Sequence, residues 1–73
     1  MNIYEKTAKN IKYYRKLKGL TQDEVAELTG YSPEYIRRIE SPHGKKKGFT
    51  LKAVYIISLA LGVPIEELFN DRT

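Results

Sequence analysis

Apolar positions along this chain recur at helical spacing and are punctuated by capping residues, so the pattern is that of short helices in series. Tyr4, Ala8, Ile11 and Tyr14 fall three or four apart and make one stripe. Asn2 precedes them with Glu5 three residues on, the spacing of a capping box, and Gly19 supplies a left-handed stop. These signals predict a first helix over about 3–18. Thr21 and Glu24 repeat the box ahead of Val25, Ala26 and Leu28, and Gly30 closes a second helix over about 22–29. Ser32 caps a third, about 33–40, with Pro33 at the first helical position, where its missing N–H is not needed. Tyr35, Ile36 and Ile39 give that helix an inner side, and Glu34, Arg37 and Arg38 share the opposite one.

Ser41 through Phe49 is rich in Gly, Pro and Lys and reads as a loop. Thr50 caps a fourth helix over about 51–61, stopped by Gly62, with Leu51, Val54, Tyr55, Ile57 and Leu61 assigned inward. Pro64 introduces a last short helix over about 65–69. Strand signals, repeats and linkers are absent, so the 73 residues are expected to form one all-α domain. The short Gly30-Tyr31-Ser32 turn between two brief helices is the layout of a helix-turn-helix.

Charge sharpens this picture. The net charge of +4 is unevenly spread. Residues 1–20 carry six Lys/Arg against one acid, and residues 41–52 carry four Lys and no acid. Residues 21–40 carry five acids against two Arg, and residues 53–73 three acids against one Arg. A molecule polarised in this way favours polyanionic partners. Lys6, Lys9, Lys12 and Lys16 lie off the apolar stripe of the first helix and read as a solvated face.

Catalysis finds no support. One histidine, no cysteine and no Gly-rich phosphate loop leave no catalytic constellation and no metal-ligand set, so no enzyme, cofactor or metal is expected. Glu66 and Glu67 are neighbours on a short turn and cannot converge as an acid–base pair. No apolar run approaches the ~18 residues that cross a bilayer, and the first residues lack the layout of a signal peptide. A cytoplasmic protein without a membrane partner or a small-molecule effector site is expected.

The stretch Leu20-Thr-Gln-Asp-Glu-Val-Ala-Glu-Leu-Thr-Gly-Tyr-Ser-Pro-Glu-Tyr-Ile-Arg-Arg-Ile-Glu40 resembles the Cro/repressor-type (XRE-like) helix-turn-helix family of phage and bacterial transcriptional regulators. The likeness extends back to Ile11-Lys-Tyr-Tyr-Arg15 and forward through Leu51 to Ala60-Leu-Gly-Val-Pro-Ile-Glu-Glu-Leu-Phe69, nearly the whole chain. It implies a compact five-helix, repressor-like domain whose third helix enters the major groove of double-stranded DNA. It also implies a sequence-specific regulator, a repressor that occludes a promoter at a palindromic operator. The alternative within the resemblance is an interaction module or antitoxin whose main partner is another protein.

By the same resemblance Pro33, Glu34 and Arg38 occupy base-reading places. Arg38 has two readings, a bidentate fork on guanine or a phosphate clamp. Glu34 either accepts from a cytosine amino group or serves the helix dipole. Pro33 departs from the polar residue usual in relatives and offers only apolar contact, for instance to a thymine methyl. Gln22, Ser32, Tyr35, Arg37 and Ser41 are phosphate candidates, with Tyr35 equally placed to pack on Tyr31 and Gln22 otherwise an exposed first-turn residue. Lys45, Lys46 and Lys47 sit in a loop about three residues longer than the family pattern and are either phosphate contacts or a solvated basic loop. His43 beside them reads as a plain loop residue. Arg15 and Glu40 match a pair that forms an internal salt bridge. The resemblance implies dimerisation through helices four and five, as is common in relatives, and Ile56 and Leu59 are apolar where relatives usually place charges. A homodimer is therefore expected with Ile56, Leu59 and Phe69 at its centre, unless Ile3 and Tyr4 cover that strip.

Overall fold

A computed structural model describes residues 2–41 and 49–71. Four α-helices follow one another, α1 (Ile3–Leu17), α2 (Gln22–Thr29), α3 (Pro33–Glu40) and α4 (Leu51–Leu61). A 3-10 turn over Ile65–Leu68 comes after them, and no strand occurs among the described residues. The fold is all-helical.

Local chemistry explains where each helix begins. The Asn2 side chain accepts from the Glu5 N–H at 2.8 Å while the Glu5 carboxylate accepts from the Asn2 N–H at 3.2 Å. Thr21 and Glu24 do the same for α2 at 3.0 and 2.8 Å. Ser32 and Thr50 each cap one N–H, of Tyr35 and of Ala53. Each cap satisfies a donor that the helix itself leaves orphaned, a contribution of about 1 kcal/mol. Between α2 and α3 the chain reverses at Gly30, whose φ of 83° lies in the left-handed region that a side chain would strain.

Those caps aim four apolar faces at one centre. Ile11 of α1, Val25 and Ala26 of α2, Ile36 and Ile39 of α3, and Val54, Ile57 and Leu61 of α4 are buried together with Leu68. A fully buried side chain of this size contributes roughly 1.5–3 kcal/mol, so these residues supply most of the cohesion of a chain this short. Tyr31, Tyr35, Phe49 and Phe69 pack around the rim.

The fifth segment is not an α-helix. Four residues after Pro64 are too few for a ladder of i→i−4 bonds, and the bonds that form, Glu67 N–H to Pro64 O and Phe69 N–H to Glu66 O, are the tighter i→i−3 kind. The five-helix description thus becomes four α-helices and one 3-10 turn, which seats Leu68 in the core. The inward side of α4 also differs from the one assigned. Ala53, Val54, Ile57, Ser58 and Leu61 are buried, whereas Leu51, Tyr55 and Leu59 are 68%, 51% and 62% exposed. Successive steps of four carry those three residues down one outer stripe.

Polar ties close the molecule between its ends. The Asn10 amide, buried on α1, donates to the carbonyls of Leu68 at 2.9 Å and Asn70 at 2.7 Å. One turn on either side, Lys6 pairs with Asp71 at 2.7 Å and the Tyr14 hydroxyl donates to Glu67 at 2.9 Å. The Lys6 ammonium holds the Asp71 carboxyl below its ordinary range. Lys6, Asn10 and Tyr14 follow at intervals of four, so one face of α1 grips the C-terminal turn.

Candidate nucleic-acid interface

Helix α3 is fixed from within. Arg15 of α1 grips Glu40 at the end of α3 with two bonds, Nε to Oε2 at 2.7 Å and Nη2 to Oε1 at 3.0 Å. Both side chains are nearly sealed from solvent, at 9% and 3% exposure. Arg15 also donates to the Leu20 carbonyl at 2.8 Å, and the Gln22 amide of α2 donates to Glu40 Oε1 at 2.9 Å. One carboxylate therefore joins α1, α2 and α3. The four donors around this buried pair offset much of its desolvation cost.

With Ile36, Ile39 and Glu40 turned inward, Glu34, Arg37 and Arg38 face solvent. Pro33 occupies the first position of α3 and is exposed beside them. Ser32, also exposed, spends its oxygen as the helix cap. Tyr35 is half-buried and lies against Tyr31, ring centroids 4.8 Å apart. Burial raises the Tyr35 pKa above the ordinary phenol range, Tyr31 adds to this and Arg38 partly opposes it, so the hydroxyl is neutral at physiological pH. The Arg38 guanidinium carbon stands 5.6 Å from the Tyr35 ring centre, a cation–π distance that restrains the long side chain before any partner arrives.

Gln22 is not the exposed first-turn residue of one sequence reading, because its amide already has an internal partner in Glu40. Ser41 follows α3 directly and is half-buried. Together Lys12, Gln22, Arg37, Arg38, Glu40 and Ser41 line an open hollow of about 430 Å3 where α1 meets α3. Lys12 was assigned to a solvated face, and nothing in the lysine spacing of α1 separates it from Lys9 or Lys16. His43, Lys45, Lys46 and Lys47 lie outside the described residues.

On α4, Leu59 is exposed, Ile56 is half-buried, and Phe69 packs against the core cluster. The Phe69 ring helps to close the core below it and is half-buried, like Ile56. Tyr4 meets Phe49 edge-on at 5.4 Å, and Leu59 stays mostly open to solvent.

Two short helices at a glycine turn, the second with a buried inner face and an arginine-bearing outer one, form a geometry that can be matched against known proteins. The model of the helix-turn-helix family matches residues 11–68, most of the chain. The chain belongs to that family. It is an XRE-like helix-turn-helix protein, of the DNA-binding transcription-regulator class. It is 32% identical over 72 residues to the control protein C.SmaI of Serratia marcescens, covering 99% of this chain and 82% of that one. It is 39% identical over 59 residues to an HTH-type transcriptional regulator of Methanocaldococcus jannaschii, covering 81% and 85%. Among solved structures, the restriction-modification controller protein C.AhdI of Aeromonas hydrophila superimposes with a TM-score of 0.78 at 26% identity, over 88% of this chain and 92% of that one. No helix among the described residues of this helix-turn-helix protein is long and apolar enough to cross a membrane.

Proposed function

We propose that residues 1–73 act as a single sequence-specific DNA-binding domain that works as a homodimeric repressor in the cytoplasm, blocking a promoter by occupying a palindromic operator. The observation that carries this reading is the outward presentation of Glu34, Arg37 and Arg38 on a helix whose inner end is locked by Arg15, Gln22 and Glu40. A rigid helix with one polar side fits the ~12 Å major groove, where base edges carry a distinct donor and acceptor code. Pro33, Glu34 and Arg38 take the base edges in this proposal. Ser32, Tyr35, Arg37 and Ser41 take phosphates, joined by Lys45, Lys46 and Lys47 through charge alone. Gln22 joins them by offering a phosphate its second amide N–H while the first holds α3 in place. Likeness to C.SmaI and C.AhdI supports a controller of restriction-modification genes as the regulatory setting.

A palindrome requires two reading helices about 34 Å apart, hence two copies of the chain. The stripe of Leu51, Tyr55 and Leu59, with Ile56 at its edge, supports α4 as the surface on which a second copy docks. Mobility-shift assays on host genomic fragments at two salt concentrations test the whole reading. A fragment preferred over random duplex at both salts is the expected result. Equal retention of every duplex would overturn sequence-specific regulation.

A further inference from the structure

The hollow between α1 and α3 gathers cations from two helices that the chain brings together from distant positions. Lys12 comes from α1, and Arg37 and Arg38 come from α3. Glu40 is the one carboxylate among its lining residues, and that charge is already matched by Arg15 and further bonded by Gln22. Among the described residues, neither Lys12 nor Arg37 has an ion-pair partner. Three cations held around one concavity repel one another, and an anion in the concavity relieves that repulsion.

We propose that this hollow seats one phosphodiester of the bound duplex, and that Lys12 is the cation reaching it from α1. The assignment rests on the DNA-binding reading above and deepens it by extending the contact surface onto the first helix. Position favours it, because Lys12 precedes Arg15 by three residues, about one helical turn, and Arg15 is clamped to the end of α3. The Lys12 backbone is thereby held in register with Arg37 and Arg38 before DNA arrives. Charge favours it too, since a phosphate contact needs a point charge on a flexible stem and no directional fork. Such a contact fixes the orientation of the protein on the duplex and carries no base preference.

The test uses the full chain, a duplex selected from the host genome and a random duplex, with binding followed by anisotropy across a salt series. Lys12→Gln is expected to weaken both duplexes by the same factor and to reduce the log–log salt slope by about 0.9. Lys12→Arg is expected to restore the slope. Lys18→Gln is the control, because its ammonium sits near Gly62 at the far end of α4, 4.0 Å from where a Cβ would stand. That variant should keep the wild-type slope. Neutralising phosphates one at a time with methylphosphonate should find a linkage whose loss weakens the wild type by a larger factor than Lys12→Gln, since Arg37 and Arg38 still face it in the variant. If the wild type prefers the selected duplex but Lys12→Gln keeps its slope and no such linkage exists, the hollow is not a phosphate seat and the DNA-binding reading survives. If the loss falls on the selected duplex alone, Lys12 reads bases and the assignment also fails. A wild type with no preference for the selected duplex would overturn both readings together.

Discussion

The amide of Gln22 donates to the same Glu40 carboxylate that Arg15 holds with two bonds, so the two helices of the motif and the helix before them share one anchor. Removing one member of a buried pair leaves the other charge without compensation, a loss of about 3–5 kcal/mol. Glu40→Gln is therefore expected to lower unfolding free energy by that amount in urea titration. Replacing Arg15 and Glu40 together by Met and Leu should cost far less. If the double variant is as unstable as the single, the pair contributes net attraction beyond the relief of stranded charge. Gln22→Ala should cost about 1 kcal/mol, since it removes one hydrogen bond from a carboxylate that keeps its others.

Arg38 is poised for a directional contact by its position over Tyr35. Arg38→Ala is expected to reduce affinity for a preferred duplex by about 1–3 kcal/mol more than for a random one. Tyr35→Leu should reproduce a fraction of that loss by freeing the guanidinium. Equal losses on both duplexes would mark Arg38 as a phosphate clamp.

Much of the helical framework was legible because its signals are local. Asn2 with Glu5, Thr21 with Glu24, and Ser32 with Pro33 each act within one turn, so sequence order alone places the partners. Helix α4 was harder to phase. Its sequence from Leu51 to Leu61 is apolar almost all round, and without a polar side the inward face cannot be assigned from spacing. Leu51 and Tyr55 consequently fell on the wrong side. The buried polar residues of α1 were missed for another reason, since Asn10 owes its burial to carbonyls nearly the whole chain away. At the site, Arg15 and Glu40 do meet, but their pairing came from family likeness and not from any spacing rule. The bond from Gln22 to Glu40 and the place of Lys12 in the hollow depend on how three helices cross, which no linear pattern encodes.

The exposed stripe on α4 predicts how the chain associates. Leu59→Glu combined with Tyr55→Glu is expected to give monomers by sedimentation velocity, because paired charges facing each other across an apolar contact are costly to desolvate. Binding to a palindromic duplex should weaken in parallel, while binding to a single half-site should persist. A dimer that survives both substitutions would move the interface away from α4.

The clasp between α1 and the C-terminal turn should be measurable as stability. Asn10→Ala removes a buried donor that serves the carbonyls of Leu68 and Asn70 and opens a gap beside Leu68. Stranding the buried Leu68 carbonyl costs about 1–3 kcal/mol while water can replace the bond to exposed Asn70, so a fall within that range is expected. Lys6→Ala should cost far less, because its partner Asp71 is exposed and water screens the pair. Comparable losses from the two substitutions would mean that charge, and not the amide, holds the turn.

Thr7 predicts the opposite sign. Its side chain is buried on α1, and its hydroxyl has no hydrogen-bond partner among the described residues. Burying an unsatisfied hydroxyl carries a penalty that an apolar group of the same shape avoids. Valine keeps the branched outline of threonine and replaces the oxygen with a methyl, at a small cost in helix propensity. Thr7→Val should therefore stabilise the fold by about 1 kcal/mol, raising Tm by about 4–8 °C in a domain of this size. Thr7→Ala removes the hydroxyl as well but leaves a methyl-sized void, so it should gain less than valine or lose stability. If valine lowers Tm while alanine does not, the pocket around position 7 is too tight for a second methyl and steric fit outweighs the polar penalty.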